Sequence, residues 1–303
     1  MKDQFAKLKG VFPLTSMSFR EDGRVDYDAF ERLIEYLCHS GADGIGLWGM
    51  MSEYQKLDDY ERDQLAAIFF QVTHRNHTPS LVSITEWSTE KAVARAREYE
   101  QKGADFLMLL PPFYYGPTEN DILHHIHSVV AAVSIPVVVQ YAPQSTGMYF
   151  DQSVIFGLAD KYPNIAFKLE HNPQKDFIQS FLAQKPELKV MSGYAGLDMP
   201  DLLEIGVRGS MPGCSFAQVH SEIYRLFTAG QKEAARKLYD QLSVYLKEWM
   251  VTVEKLIGIE KRMLERRGIL TNHVCRHPGY DITKHDDESI DAFLAEFAEI
   301  LHA

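Results

Sequence analysis

Short apolar runs alternate with longer amphipathic stretches along most of the chain. The runs GVFPL, DGIGLWG, PSLVSI, DFLMLLP, IPVVVQY, NIAFKLE, LKVMSG and RGSMPG each predict a strand. Between them, patterns such as DYDAFERLIEYLCHSG, DDYERDQLAAIFFQVTH and STEKAVARAREYEQKG predict helices. Start and stop signals agree. Ser88 fits an N-cap and Gly103 a stop, Thr118 with Asp121 fits a capping box, and Gly41 follows a helix as a C-terminal cap. Eight strand–helix units repeat up to about residue 225. Strands that alternate with helices pair in parallel through right-handed crossovers. Eight such units predict an α/β fold of the (β/α)8 TIM-barrel type, which takes about 250 residues. A doubly wound open sheet is the weaker reading, because no glycine-rich phosphate loop follows the first strand. Beyond that point the strand signal stops and three helical patterns follow, the second interrupted at Gly258. No proline- or serine-rich linker intervenes. The expected organisation is a barrel over 1–225 and a C-terminal helical extension over 226–303 packed on it.

The sixth run, IAFKLE, places Lys168 and Glu170 inside an apolar context. Strand alternation puts Ile165, Phe167 and Leu169 on one face and Ala166, Lys168 and Glu170 on the other. The first set suits the outer helices. The second then points into the barrel near the C-terminal end of its strand, where barrel active sites lie. Burial disfavours the charged form of an amine, and a neutral amine attacks carbonyls to form a Schiff base. The residues alone leave two readings open. Glu170 orients groups or moves protons beside a covalent Lys168, or the two form a buried structural ion pair.

Composition narrows the field. The formal net charge is −11 and no basic patch recurs, which argues against a nucleic-acid partner. No apolar run reaches the roughly 18 residues of a membrane span. The N-terminal stretch lacks the apolar core of a signal peptide. The cysteines are three and far apart (Cys38, Cys214 and Cys275), which fits reduced thiols in the cytoplasm. His124 and His127 share a helix face without carboxylate partners, so a solvated face is expected and no metal site. Nothing near Cys214 resembles a base.

The order of these motifs resembles the dihydrodipicolinate synthase / N-acetylneuraminate lyase superfamily over nearly the whole chain. That resemblance implies a class I, lysine-dependent lyase on a (β/α)8 barrel with a helical extension and no cofactor. It makes Lys168 the Schiff-base residue. The family's second-strand motif, Gly-Thr-Thr-Gly-Glu, reads GMMSE here, so Met50 and Met51 stand where threonines are usual. Methionine has no exchangeable hydrogen and relays no proton. The backbone amides of Met51 and Ser52 remain candidates for holding a keto-acid carboxylate. The fifth-strand motif, Tyr-Asn-x-Pro, reads QYAP. Alignment from Pro143 without a gap puts Gln140 in the tyrosine's place, and a one-residue slip puts Tyr141 there. No arginine follows, which argues against dihydrodipicolinate synthesis itself.

The L-2-keto-3-deoxyarabonate dehydratases are more similar. They share a Ser-Glu pair before an acidic-Glu-Arg helix start, Val-Gln-x-Ala-Pro, Phe-Lys-Ile-Glu and a late Arg-His-Pro, matched by MMSEYQKLDDYERD, VVQYAP, FKLE and VCRHPGY. Tyr141 departs from the usual aspartate. The implied reaction is dehydration of a 2-keto-3-deoxy sugar acid, with Lys168, Glu170 and Tyr141 as catalytic residues. Met51, Ser52, Gln140, Met211, Ser210 and Tyr114 are the substrate-binding candidates. The alternatives are a pyruvate-dependent aldolase or synthase, and a barrel that binds a keto acid without turning it over. Tyr114, or Tyr115 beside it, matches a family tyrosine that reaches across a dimer interface. A homodimer or homotetramer is implied. MSGYAG offers Ser192, Gly193 and Tyr194 near the barrel mouth, with glycine read as permitting a tight turn.

Overall fold

Every position of the eight strands is buried, which is why the runs read as continuous apolar stretches rather than alternating ones. The computed structural model describes residues 4–301. Its strands are β1 (Gly10–Val11), β2 (Ile45–Leu47), β3 (Ser80–Ile84), β4 (Phe106–Leu109), β5 (Val137–Tyr141), β6 (Ile165–Leu169), β7 (Val190–Ser192) and β8 (Gly209–Ser210). They form one sheet in the order β1-β8-β7-β6-β5-β4-β3-β2. With a helix after each strand, this is the (β/α)8 barrel fold with a helical C-terminal part.

The helices of six residues or more are α1 (Tyr27–Cys38), α2 (Asp59–Arg75), α3 (Thr89–Gln101), α4 (Glu119–Val130), α5 (Gln152–Lys161), α6 (Gln174–Gln184), α7 (Met199–Glu204), α8 (Ala217–Thr228), α9 (Lys232–Trp249), α10 (Val253–Arg266) and α11 (Lys284–Glu296). Their starts follow the sequence signals. The Ser88 side chain accepts the Lys91 N–H, and Thr118 and Asp121 close a reciprocal capping box. Gly103 lies just past α3 at φ +87, a conformation glycine adopts without strain. Gly258 sits inside α10, where a Cβ would meet Tyr280 and Ile282 at 3.3–3.4 Å. Its lack of a side chain lets that loop pack close to the helix.

Two compact units are distinguished. The first comprises Pro79–Ser210 with the chain's start up to Lys9, and carries β3 to β8. Arg208 ties the early residues down by donating to the carbonyls of Phe5 and Leu8. The second comprises Gly10–Thr78 and Met211–Ala303. Within it Leu14 bridges to both Gly46 and Gly213, and Trp249, Phe216 and Phe293 pack as an aromatic core between helices. Among the described residues no helix is long and apolar enough to cross a membrane.

Candidate active site

The parallel register sorts the strand side chains into rows. Gln140, Lys168 and Met191 are paired neighbours across β5, β6 and β7. Tyr141, Leu169, Ser192 and Ser210 form the adjacent row, across β5 to β8. Paired residues of parallel strands share a face, so these rows point to opposite sides of the sheet.

Glu170 follows β6 and returns to the face of Lys168. Its N–H donates to the Tyr141 carbonyl at 2.9 Å, which extends the ladder by one step. Its carboxylate is enclosed. Oε1 lies 3.3 Å from Lys168 Nζ and accepts the Tyr194 N–H at 3.3 Å, and Oε2 accepts from Gln140 Nε2 at 2.5 Å. Lys168 and Glu170 are 3% and 4% exposed. Gly193 closes this arrangement. A Cβ there would stand 1.8 Å from Glu170 Oε1 and 2.7 Å from Lys168 Cε. Glycine is therefore required by close approach rather than by a tight turn, since its φ is −116. The left-handed conformations fall on its neighbours Tyr194, Ala195 and Asp198, at φ 49, 51 and 60. Non-glycine residues in that region each cost about 1–3 kcal/mol and gather at functional sites.

The same loop is stitched to two others. Tyr194 Oη donates to Gln144 Oε1 at 3.3 Å, and Gln144 exchanges hydrogen bonds with the Asn172 backbone at 2.7 and 3.0 Å. The segments after β5, β6 and β7 thus meet above the Lys168–Glu170 pair.

Three expectations need correction. Tyr141 does not serve Lys168. Its hydroxyl accepts the Phe150 N–H at 2.9 Å and donates to the Phe150 carbonyl, and its ring stacks on Phe150 and packs against Phe177 of α6. It faces the helices, and burial pushes its hydroxyl above the ordinary phenol range. Gln140 holds the position next to the lysine. Ser210 lies in the helix-facing row with Ser192, not in the row of Lys168. The Ser52 amide is spent inside its own turn, donating to Gly49 at 2.8 Å, while Ser52 Oγ donates to the Thr15 carbonyl at 2.6 Å.

Other candidates are placed as follows. Met51 and Met211 are buried in the second unit. Tyr114 is 58% exposed, and its ring contacts among the described residues are Trp87, Phe113 and Tyr115. Cys214 is buried and accepts the Ser16 N–H, and burial pushes its thiol up to about 12, which suits a structural role. His127 bonds Tyr162, and its buried neighbour His125 bonds Thr89 and is pushed down to about 4 by desolvation. Met191, beside Lys168 in the register, went unread in the sequence because its run gave no polar signal. The acidic-Glu-Arg and Arg-His-Pro motifs explain each other: Glu61 takes both guanidinium nitrogens of Arg276, at 2.6 and 2.5 Å.

A buried lysine with a carboxylate beside it, at the C-terminal end of a strand in a (β/α)8 fold, is an arrangement that suits the class I lyases, which work through a lysine Schiff base. The chain belongs to the dihydrodipicolinate synthetase family, whose model matches residues 7–297. It is 29% identical to the 4-hydroxy-tetrahydrodipicolinate synthase of Moorella thermoacetica over 93% of this chain and 97% of that one. The corresponding synthase of Koribacter versatilis is 30% identical over 77% of this chain and 78% of its own. In fold the chain is similar to dihydrodipicolinate synthase from Rhodopseudomonas palustris, with a TM-score of 0.86 at 24% identity over 95% and 97% of the two chains. N-acetylneuraminate lyase from Mycoplasma synoviae gives 0.82 at 18% identity over 96% and 99%.

Proposed function

We propose that Lys168 condenses with C2 of a 2-keto-3-deoxy sugar acid and that the bound substrate loses water across C3 and C4. The observation that carries this reading is the enclosed Lys168–Glu170–Gln140 cluster. Attack of the amine on the keto group releases the carbonyl oxygen as water and leaves an iminium. The iminium acidifies the C3 hydrogens, Glu170 removes one, and the C4 hydroxyl departs with a proton as water. A proton gained at C3 and one lost from C5 turn the C3=C4 bond into a C4=C5 enol, which becomes the C5 aldehyde, and hydrolysis of the imine frees this product and Lys168. The imine is the electron sink, so no cofactor enters. Gln140 carries no titratable proton. Proton movement therefore falls to Glu170, whose carboxylate Gln140 and the Tyr194 amide orient. We assign the substrate carboxylate to the Met51 amide, following the family resemblance.

A second reading keeps the imine but breaks the C3–C4 bond, releasing pyruvate. The synthase and lyase names of the relatives favour it. Against dihydrodipicolinate synthesis stand the glutamine at position 140 and the absence of an arginine in the QSTG stretch just after Pro143. A barrel that binds keto acids without turnover is the third. We also infer a homodimer or homotetramer, supported by the exposed rings of Trp87, Tyr114 and Tyr115. The absence of any disulfide among the three cysteines supports the cytoplasm as the compartment.

The test is a panel of 2-keto acids with borohydride trapping and product mass. A 2-keto-3-deoxypentonate yields a semialdehyde and an adduct on the Lys168 peptide if the proposal holds. Pyruvate as product selects the aldolase, and tight binding without product selects the third reading. Glu170→Gln is expected to lower turnover at least 100-fold with trapping retained. Unchanged turnover would make Glu170 structural.

A further inference from the structure

Outside this cluster, the densest set of buried charges lies in the second unit, on α10. Glu260 and Lys261 are adjacent there and neither is exposed to solvent. Adjacent helix positions point about 100° apart, so the two side chains reach different neighbours.

Lys261 reaches the turn after β2. Its ammonium pairs with Glu53 Oε2, donates to the Val274 carbonyl at 2.8 Å and sits 4.4 Å from the Phe19 ring centre. Glu53 is fully buried at φ 47 and joins two short 3-10 turns, Met50–Ser52 and Tyr54–Lys56. A non-glycine residue is held there only when its surroundings over-determine it. Here they do. Lys56 adds a second cation at 3.2 Å from Glu53 Oε1, and itself pairs with Glu254 of α10 at 2.9 Å. Arg276 lies over the same Phe19 ring and accepts no freedom either, donating to the carbonyls of Gly23 and Lys56.

Glu260 reaches the segment after β8. Its Oε2 accepts the Ser215 N–H at 2.7 Å. Gly213 lies so close that a Cβ would stand 2.0 Å from Oε1. Arg267, nearly two turns on, donates to the Ser215 carbonyl. One helix thus fixes the segments that follow two different strands through neighbouring residues, one acidic and one basic.

We propose that Lys261 and Glu260 are positioning residues: Lys261, through Glu53, sets the Met50–Ser52 turn, and Glu260 sets the 211–216 segment, so that α10 governs keto-acid affinity. This rests on the assignment of the substrate carboxylate to the Met51 amide. A buried charge whose partner is removed is strongly destabilising. The turn then relaxes from its left-handed conformation and its amide loses its aim.

The test uses the full chain with Lys261→Met, Glu53→Gln, the double variant and, as a control on the same helix, Arg266→Ala. Glu260→Met is compared with Glu260→Gln, which keeps the accepting oxygen. Amide hydrogen exchange reads positioning without reference to the lysine. Half-saturation of borohydride trapping by pyruvate reads affinity. Lys261→Met and Glu53→Gln are expected to speed exchange across residues 50–57 and to raise half-saturation at least tenfold, with full trapping at saturation and no further rise in the double variant. Glu260→Met is expected to speed exchange across 212–216, and Glu260→Gln is not. Glu53→Gln preserves side-chain shape and carries the test if Lys261→Met fails to fold. Folded variants with wild-type exchange and wild-type half-saturation would overturn the proposal. Faster exchange in a protein that never traps pyruvate would uphold the positioning and sink the Schiff-base reading of Lys168 instead.

Discussion

Exchanging Tyr141 for phenylalanine separates two neighbouring side chains that the chain presents in sequence. Tyr141→Phe removes only the bonds to the Phe150 backbone. It is expected to lower stability by about 1 kcal/mol and to leave kcat within twofold. Gln140→Leu strips Glu170 Oε2 of its donor, and is expected to lower kcat at least tenfold while the melting temperature moves little. Steady-state kinetics with thermal melts decide it, and a tenfold loss in Tyr141→Phe would return the tyrosine to the chemistry. Lys168 was legible because a lysine in an apolar strand has few explanations. The choice between Gln140 and Tyr141 was not, since both faces of a barrel strand are buried and alternation alone carries no origin. Register against β6 supplies that origin.

Helix α10 shows what periodicity conceals. The segment VEKLIGIEKRMLERRG reads as a charged amphipathic helix, and a Glu-Lys-Arg run ordinarily marks a solvated face. Yet Leu256, Ile257, Ile259, Glu260, Lys261, Met263 and Leu264 are all buried. The buried charges could be recognised only once Ser215 and Glu53, which lie 45 and 208 positions away, had been folded against them. Glu260 also gives the helix a pH signature. Burial lifts its carboxyl from the ordinary 4.5 to about 7, against the opposing pull of the Ser215 and Cys214 amides and Arg267. The folded protein holds this proton between those values and the unfolded chain does not. Its contribution to stability is therefore full below pH 4.5 and falls by about 3 kcal/mol as pH rises through 7. Glu260→Gln is expected to flatten the decline in melting temperature between pH 5 and 8 relative to wild type. Parallel declines would show that the carboxyl is already ionised throughout. The carboxylates held low by partners, such as Glu61 beside Arg276, lose their stabilisation only at more acidic pH, and buried His125 adds stability up to about pH 6.5 in wild type and variant alike, so the difference between the two isolates Glu260.

For the whole molecule, the eight strand–helix units were readable because each strand is a buried apolar run bounded by cap and turn residues. Association is inferred only from the family resemblance. The proposed interface is the cluster of Trp87, Phe113, Tyr114 and Tyr115, with Tyr115 fully exposed. Such a patch is expected at an interface. Tyr114→Ser with Tyr115→Ser is expected to lower the mass of the assembly in light scattering, and an unchanged mass would place the interface elsewhere. The second unit has a further consequence, for synthesis. It joins Gly10–Thr78 to Met211–Ala303, whereas Pro79–Ser210 is continuous. On a ribosome adding about 5–20 residues per second, Glu53 emerges roughly 10–40 s before Lys261 does. Until then its carboxylate has no cation from α10 to meet. The continuous middle of the chain can fold during that interval, while the early segment waits exposed, a client for whatever chaperone holds nascent chains.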